Sequence, residues 1–274
     1  KQAATLYARE AKASANDDAV ATARLNRGRS LVAAQEFAEA ARVMSAFIRD
    51  FPEHPDAGQA RAHLVIALSR QDQCEEALKR VEAISATDLG ALDPELRQAV
   101  TYEKAWCLRG AGRADQAADS LKALLDEPSN NELNAHAILD LAILEADASR
   151  HESAAQLLRK LIDSPEGKTI PATVREPALY RLGTCEFELE RYGSASSAFE
   201  ELINSFPQSE LLASSAYYAG ESYFNLGQFG AAIPFFERVA TEHGDDSLGA
   251  PALLRLGESL AKVQRWRPSE RAFM

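Results

Sequence analysis

The feature that most constrains the fold is a repeat with a period of 37 residues. The stretch that starts at Gly183 reads GTCEFELERYGSASSAFEELINSFP, and it returns as GESYFNLGQFGAAIPFFERVATEHG from Gly220 and as GESLAKVQRWRPSERAFM from Gly257. In each copy the glycine leads to an aromatic residue nine positions later, then to a small residue and a second aromatic. These residues are Tyr192, Ala195 and Phe199; Phe229, Ala232 and Phe236; and Trp266, Ser269 and Phe273. Self-similarity at a fixed period of this length predicts a stacked array of supersecondary units.

The same register, followed towards the N-terminus, finds weaker copies anchored at Gly28, Val65, Ala105 and Ala142. A few additional residues fall in two loops between units, around Ala86–Asp93 and Ser164–Pro177. We therefore predict one continuous array over residues 1–274, with a partial repeat at 1–17, units of about 18–54, 55–94, 95–131, 132–172, 173–209 and 210–246, and a truncated unit at 247–274. Because both ends fall inside a repeat and arrays normally carry capping repeats, we expect the chain to be part of a larger protein.

Each unit is predicted to be a pair of helices. Apolar residues around the anchor recur at helical spacing, as at Leu179, Leu182 and Leu189. A short turn such as LERYG or LGQFG follows, and a second apolar stripe then runs through the residues that follow Ala195. Pro177 is expected to open a first helix, where its missing N–H costs little. One such pair cannot bury its apolar stripes alone, so neighbouring units must stack on each other.

These spacings resemble the signature of the tetratricopeptide repeat (TPR) family. The matching residues are Leu182, Gly183, Ala195, Phe199 and Pro207 in one unit, and Ala219, Gly220, Tyr223, Ala232 and Phe236 in the next. The resemblance implies an all-α, right-handed superhelical solenoid, here of about seven helix pairs. The period of 37 residues and bridging segments such as SFPQSELLASSAYYAGESYF are similar to those of bacterial envelope members of the BamD and CpoB kind.

Composition supports a folded helical protein and argues against one class of partner. The chain is 46% hydrophobic and 26% charged, with few glycines and prolines, which suits helices better than many short strands. Its formal net charge is −11, whereas nucleic-acid binding requires clustered positive charge, so we expect no nucleic-acid partner. No apolar run approaches the roughly 18 residues that a membrane span requires, so we expect no direct membrane span.

Residues that could carry chemistry fit structural roles better than catalytic ones. The three cysteines, Cys74, Cys107 and Cys185, are too few and too widely spaced to predict a disulfide framework or a metal site. Cys107 and Cys185 lie two repeats apart, at a position that holds small or apolar residues in other units, so both are expected to be packed thiols. Cys74 lies near an interhelical turn and is expected to be the most reactive of the three. We therefore predict no enzyme activity, no cofactor and no metal.

The candidate functional residues are those that would line an inner groove. In the TPR family, residues three before, one after and four after the anchor of each first helix face this groove. The resemblance therefore implies that a partner contacts the residues Arg29, Tyr102, Trp106, Arg109, Tyr180, Phe187, Tyr217, Glu221, Phe224 and Glu258. Aromatic side chains with a polar handle are favoured anchors at interfaces. The alternative is that these rings pack within and between the units.

The resulting hypothesis is a non-enzymatic module that binds a protein or an extended peptide, and that acts as an adaptor in a multi-protein complex of the bacterial envelope. Two alternatives stay open: an assembly scaffold that uses its edges and convex face, and the regulatory region of a larger enzyme. The resemblance implies a periplasmic or outer-membrane-associated location, with the cytoplasm as the alternative. Arg29 and Arg109 against Glu221 and Glu258 predict a groove graded from basic to acidic, with the positive part of a ligand near Glu221 and Glu258.

Overall fold

The computed structural model describes Thr5 and residues 17–127, 132–164, 170–242 and 247–264. Over these residues the regular secondary structure consists of helices, without a strand, which confirms the all-α prediction. Contacts along the chain fall into two compact units, Lys1–Ser129 and Asn130–Met274. The continuous array over residues 1–274 stays a prediction. The predicted positions of Trp266, Ser269 and Phe273 lie outside the described residues.

In the first unit, the two helices of each pair pack against each other, each second helix packs against the first helix of the next pair, and the first helices of neighbouring pairs are also in contact. This nearest-neighbour pattern is the one that a stacked helical repeat requires. Polar capping defines some helix starts, since Asp93 accepts a hydrogen bond from the backbone N–H of Leu96 at 2.8 Å, and Pro94 follows it. The helices are α1 (Asp17–Ala33), α2 (Phe37–Asp50), α3 (Ala57–Ser69), α4 (Cys74–Glu82), α5 (Ala86–Ala91), α6 (Pro94–Gly110) and α7 (Ala114–Asp126).

The second unit repeats the same arrangement of helix pairs. One apolar cluster joins its first two helix pairs, and two further clusters lie around Phe199 and Phe236. The helices are α8 (Glu132–Asp147), α9 (His151–Ile162), α10 (Ala172–Glu188), α11 (Tyr192–Ser205), α12 (Leu212–Asn225), α13 (Phe229–Glu242) and α14 (Gly249–Lys262).

The repeat glycines mark the closest approach of the two helices in a pair. A Cβ placed on Gly183 would lie 2.6 Å from a ring carbon of Phe199, and one on Gly220 would lie 2.7 Å from a ring carbon of Phe236. Both rings are 0% exposed. The glycine and the second aromatic of the repeat, sixteen residues apart, therefore form one packing unit in which the ring fills the space that the glycine leaves.

The interhelical turns repeat with the same backbone conformation. A residue with positive φ lies seven positions after every anchor, at Gln35, Asp72, Gly112, Ser149, Glu190, Gly227 and Gln264. In several of these turns the backbone N–H of the following residue donates a hydrogen bond to a carbonyl in the last turn of the helix. Arg191 donates in this way to the carbonyl of Glu186, and Gln228 donates to that of Tyr223. This is the Schellman arrangement, which closes a helix through one left-handed residue. Glycine occupies two of the seven turns, so the pattern is hard to see in the sequence.

The structure corrects two details of the sequence interpretation. Pro177 does not open a helix but lies inside α10, which begins at Ala172. The loop around Ala86–Asp93 contains the short helix α5, whose start is capped by the Ser85 side chain through the N–H of Asp88 at 3.0 Å. An ion pair between Arg61 and Asp88 at 2.8 Å holds α5 against α3. The additional residues of this unit are therefore used as a helical insertion.

The prediction for two of the cysteines was wrong. Cys74 and Cys107 form a disulfide, with their Cα atoms 4.9 Å apart, inside the range that disulfide geometry allows. Cys74 is the first residue of α4, and Cys107 lies in α6 of the next repeat. Cys107 and Cys185 lie two repeats apart, whereas the start of a second helix lies close to the first helix of the following repeat.

Candidate functional site

The candidate residues of the second unit lie on the first helices α10, α12 and α14. Tyr180 and Phe187 share one face of α10 because they are seven residues apart, and Tyr217 and Phe224 repeat this spacing on α12. Leu254 takes the position of Tyr217 on α14, and its side chain is 53% exposed, the largest exposure among the large apolar residues of the described chain. We call these five residues the aromatic face.

The rings of the aromatic face rest on the core with one edge and leave the other edge accessible. Tyr180 meets Phe199 with ring centroids 6.0 Å apart, and Tyr217 meets Phe236 at 5.9 Å, both in edge-on geometry. Both tyrosines are half-buried. Packing therefore holds the rings in fixed positions, which lowers the entropy that a partner would have to remove on binding.

Tyr218 joins the two helices of the aromatic face and was missed by the sequence interpretation. Its ring lies 5.5 Å from Phe187, 5.8 Å from Phe199 and 5.8 Å from Tyr217, measured between centroids. Burial raises its pKa, with a further contribution from the neighbouring Tyr180. In the repeat register Tyr218 aligns with Arg181 and Arg255. Polar residues at this register position indicate a contact with the adjacent repeat. This was the signal in the sequence that could have identified Tyr218.

The two glutamates expected to make the face acidic share one arginine. Arg255 donates from Nε and Nη2 to the two carboxylate oxygens of Glu221, at 2.6 and 3.0 Å, and from Nη1 to Glu258 at 2.9 Å. The guanidinium also lies over the ring of Phe224, 4.6 Å from its centroid. Glu221 is buried. Arg255 therefore compensates part of the negative charge that the sequence predicted here.

The pKa shifts follow from this ion-pair cluster. Burial lowers the pKa of Arg255, but its hydrogen bonds to Glu221 and Glu258 outweigh burial, and the pKa rises overall. Burial is also the main reason why the pKa of Tyr217 is raised, and the charge of Glu221 acts in the same direction. Arg255 thus stays charged, and Tyr217 stays a neutral hydrogen-bond donor, throughout the neutral pH range.

The remaining candidates belong to the first unit and lie on two helices. Tyr102, Trp106 and Arg109 lie on α6 and are half-buried, whereas Arg29 lies on α1 and is exposed. Helix α3 contacts both α1 and α6, so it lies between these candidates in the order of packing. Arg29 and the α6 group therefore lie on first helices that are two repeats apart.

A histidine on α3 couples this region to pH. Burial, followed by the nearby Arg29, lowers the pKa of His63 from 6.5 to about 4, while Asp93 acts in the opposite direction. Above pH 6.5 the imidazole is neutral in both the folded and the unfolded chain. As the pH falls from 6.5 towards 4, the unfolded chain takes up a proton that the folded chain does not, so stability decreases with falling pH.

We expect this loss to amount to about 2–3 kcal/mol and to level off below the folded pKa. The measurement is the free energy of unfolding by urea at about pH 7 and about pH 4.5, for the native chain and for His63→Gln. The native chain and the variant have the same carboxylates that titrate between these two pH values, so the contribution of the carboxylates cancels in the comparison. The variant should therefore lose about 2–3 kcal/mol less than the native chain. The same loss in both would contradict the assignment.

The remaining cysteine does not have the properties of a nucleophile. Cys185 is buried, and burial raises the pKa of its thiol to about 11, so the reactive thiolate is scarce at neutral pH. Within the described ranges, no group of three or more His, Cys, Asp or Glu side chains is arranged to hold a metal ion. Among the described helices, none combines the length and apolar character needed to cross a bilayer.

Comparison with solved structures shows the same fold in repeat proteins. A crystal structure of a tetratricopeptide repeat protein from Parabacteroides merdae is 18% identical, with a TM-score of 0.56, and the match covers 92% of this chain and 90% of that one. A crystal structure of MamA is 20% identical with a TM-score of 0.54, covering 64% of this chain and 87% of that one. MamA from Desulfovibrio magneticus is 15% identical with a TM-score of 0.51, covering 64% and 90%.

Sequence comparisons agree on the family. No protein of curated function matches the chain significantly. One family model described as a tetratricopeptide repeat matches residues 1–57, 25–78, 63–132 and 102–169, and a second with the same description matches 177–209 and 214–246. These findings do not support the finer resemblance to BamD and CpoB. Because the first model alone matches more than half of the residues, the chain belongs to the tetratricopeptide repeat family.

Proposed function

We propose that the protein is a non-enzymatic binding module that holds an extended protein segment on its aromatic face. The observation that carries the proposal is Leu254, which stays 53% exposed at the repeat position that the core-packed Tyr217 occupies on α12. Interface hot spots are enriched in tyrosine, so the fixed tyrosine rings are the anchors of this face, and the exposed leucine extends its apolar surface. Membership of a family whose members generally bind proteins or peptides supports the same function.

The disulfide supports a compartment in which thiols are oxidised. Disulfides persist in secreted and periplasmic proteins and are rare in the cytosol of most organisms. Cys74 and Cys107 join two neighbouring repeats across a sequence separation of 33 residues. We therefore propose a periplasmic location, where the module would act as an adaptor in an envelope assembly.

The binding test uses two exposed leucines that differ in position. Leu254→Ser removes the exposed apolar group of the aromatic face, and Leu226→Ser changes a 41% exposed leucine in the turn between α12 and α13. We expect Leu254→Ser to reduce capture of partner proteins from an envelope extract by roughly tenfold, since hot-spot truncations cost more than about 1–2 kcal/mol. Leu226→Ser should capture partners as the native chain does.

A second variant tests the rings themselves. Tyr217→Ala combined with Phe224→Ala should abolish capture, after circular dichroism has confirmed that the chain is still helical. A folded double variant that retains every partner, together with an unaffected Leu254→Ser, would overturn the proposal. That result would favour the scaffold hypothesis, in which edges and the outer surface hold the assembly.

A further inference from the structure

The charges around the aromatic face differ between its two ends. At the end formed by α12 and α14, Arg255 pairs with both Glu221 and Glu258. Lys262 adds a second positive charge there, with its Nζ 5.6 Å from the ring centroid of Phe229, which in turn lies 5.0 Å from Phe224. Two carboxylates and two cations thus balance at this end. Leu254, which is 53% exposed, is an accessible apolar group at this end.

The end formed by α8 and α10 has an excess of negative charge. Asp147 is 62% exposed and lies 3.8 Å from Arg181, at the limit of an ion pair. Glu188 is exposed and directly follows Phe187 of the aromatic face. Its charge acts on the face, since it contributes to the raised pKa of Tyr218 and of Cys185.

The helix ends strengthen this difference. Asp147, Glu188, Asn225 and Lys262 are the last residues of α8, α10, α12 and α14, so the same position changes from acidic through neutral to basic along the unit. The C-terminal end of a helix carries a partial negative charge. Carboxylates at the ends of α8 and α10 therefore add to the helix dipole, whereas Lys262 opposes it. A cation from a partner would be stabilised by both sources at the α8 and α10 end.

We infer that the segment bound by the aromatic face is cationic at one end and apolar at the other. This inference rests on the proposed function and deepens it by naming the chemistry of the partner. Lysine or arginine side chains would lie at Asp147 and Glu188. An aliphatic or aromatic side chain would lie against Tyr217, Phe224 and Leu254. This direction is the reverse of the one predicted from the sequence, because Arg255 and Lys262 compensate the carboxylates that the prediction used.

The test uses a synthetic fluorescent peptide with a block of lysines at one end and a leucine and phenylalanine block at the other. Its affinity for the full chain is measured by fluorescence anisotropy at low salt. We expect it to bind at least roughly tenfold more tightly than the same peptide with glutamate in place of lysine. A photoreactive group at the lysine end should cross-link to residues near the ends of α8 and α10.

Charge variants locate the cation site. Asp147→Lys with Glu188→Lys should weaken binding of the lysine peptide by roughly tenfold and should reduce its dependence on salt. The matched control is Asp163→Lys with Glu237→Lys, since these exposed residues lie at the end of α9 and on α13, off the aromatic face. The control makes the same change in net charge, and we expect it to alter the affinity less than about twofold.

Three results would overturn the inference: equal binding of the lysine and glutamate peptides, equal effects of the two charge variants, or cross-links from the lysine end to α12 and α14. The proposed function is tested separately by Leu254→Ser and envelope extract. If that variant loses partners and any of these three results is also found, the proposed binding function of the aromatic face stands and the inference of a cationic partner is rejected.

Discussion

Phe236→Ala is expected to destabilise the second unit by about 3–5 kcal/mol, because it removes a large and fully buried side chain from the crossing of two helices. The ring contacts Tyr217, with centroids 5.9 Å apart, and belongs to the apolar cluster that joins α13 to α12 and α14. Its removal leaves a cavity that rigid helices cannot close. The free energy of unfolding by urea measures the loss.

The damage is expected to be local, because each repeat contacts its neighbours alone. Hydrogen exchange on Phe236→Ala should show lost protection in α12, α13 and α14, with protection retained in α1 and α2. The matched control is Phe235→Ala on the same helix, since Phe235 is half-buried and stacks on Tyr223 with centroids 5.7 Å apart. We expect a smaller loss in the control. Uniform loss of protection along the whole chain would contradict nearest-neighbour stabilisation.

A second substitution tests whether the glycine and the ring form one packing unit. Gly220→Ala in the native chain places a methyl group against the ring of Phe236 and should cost about 1–3 kcal/mol through overpacking. In the Phe236→Ala background the methyl group enters space that the ring has left, so this cost should largely disappear. Gly230→Ala on α13 is the control, because a Cβ there meets nothing within 4 Å. Additive effects of Gly220→Ala and Phe236→Ala would contradict direct packing.

Reduction of the Cys74–Cys107 disulfide is expected to cost about 3–4 kcal/mol of stability in the first unit, because the bond closes a loop of 33 residues in the unfolded chain. We expect α4, the second helix of this repeat, to depend on the disulfide for its stability more than the other second helices would. Helix α4 has nine residues, of which Ala77 and Leu78 are buried. Hydrogen exchange should show that α4 and α5 lose protection first when the protein is reduced.

Thiol counting provides an independent measurement. The denatured, non-reduced chain should take up one alkylating group, at Cys185, and the reduced chain should take up three. In the native chain Cys185 should react slowly, since it is buried and its pKa is raised to about 11. Cys74→Ser and Cys107→Ser should each match the reduced protein in stability. Alkylation of all three cysteines without reductant would contradict the disulfide.

Much of the fold could be predicted because its determinants are local and periodic. The glycine anchors Gly183 and Gly220 and the rings Phe199 and Phe236 recur at fixed spacing, since each repeat solves the same packing problem. That period, with helical spacing of apolar residues, is sufficient to predict stacked helix pairs without long-range information. The candidate rings Tyr180, Phe187, Tyr217 and Phe224 follow from the same register together with the groove positions that the resemblance to the family implies.

Contacts between repeats could not be derived from the repeat register. Arg255 reaches Glu221 across a sequence separation of 34 residues, and Tyr218 meets the ring of Phe187 on the neighbouring helix. Each of these contacts depends on side-chain length and direction in the folded state.

The sequence by itself therefore determined the helical repeat, its register and the residues that could form a face, because these depend on spacing along the chain. Tertiary structure decided the disulfide between Cys74 and Cys107 and the pairing of both Glu221 and Glu258 with Arg255. The physical reason is that a bond or an ion pair needs atoms a few ångströms apart. Distances across the stack of helices are set by how side chains pack, and no spacing within the sequence encodes them.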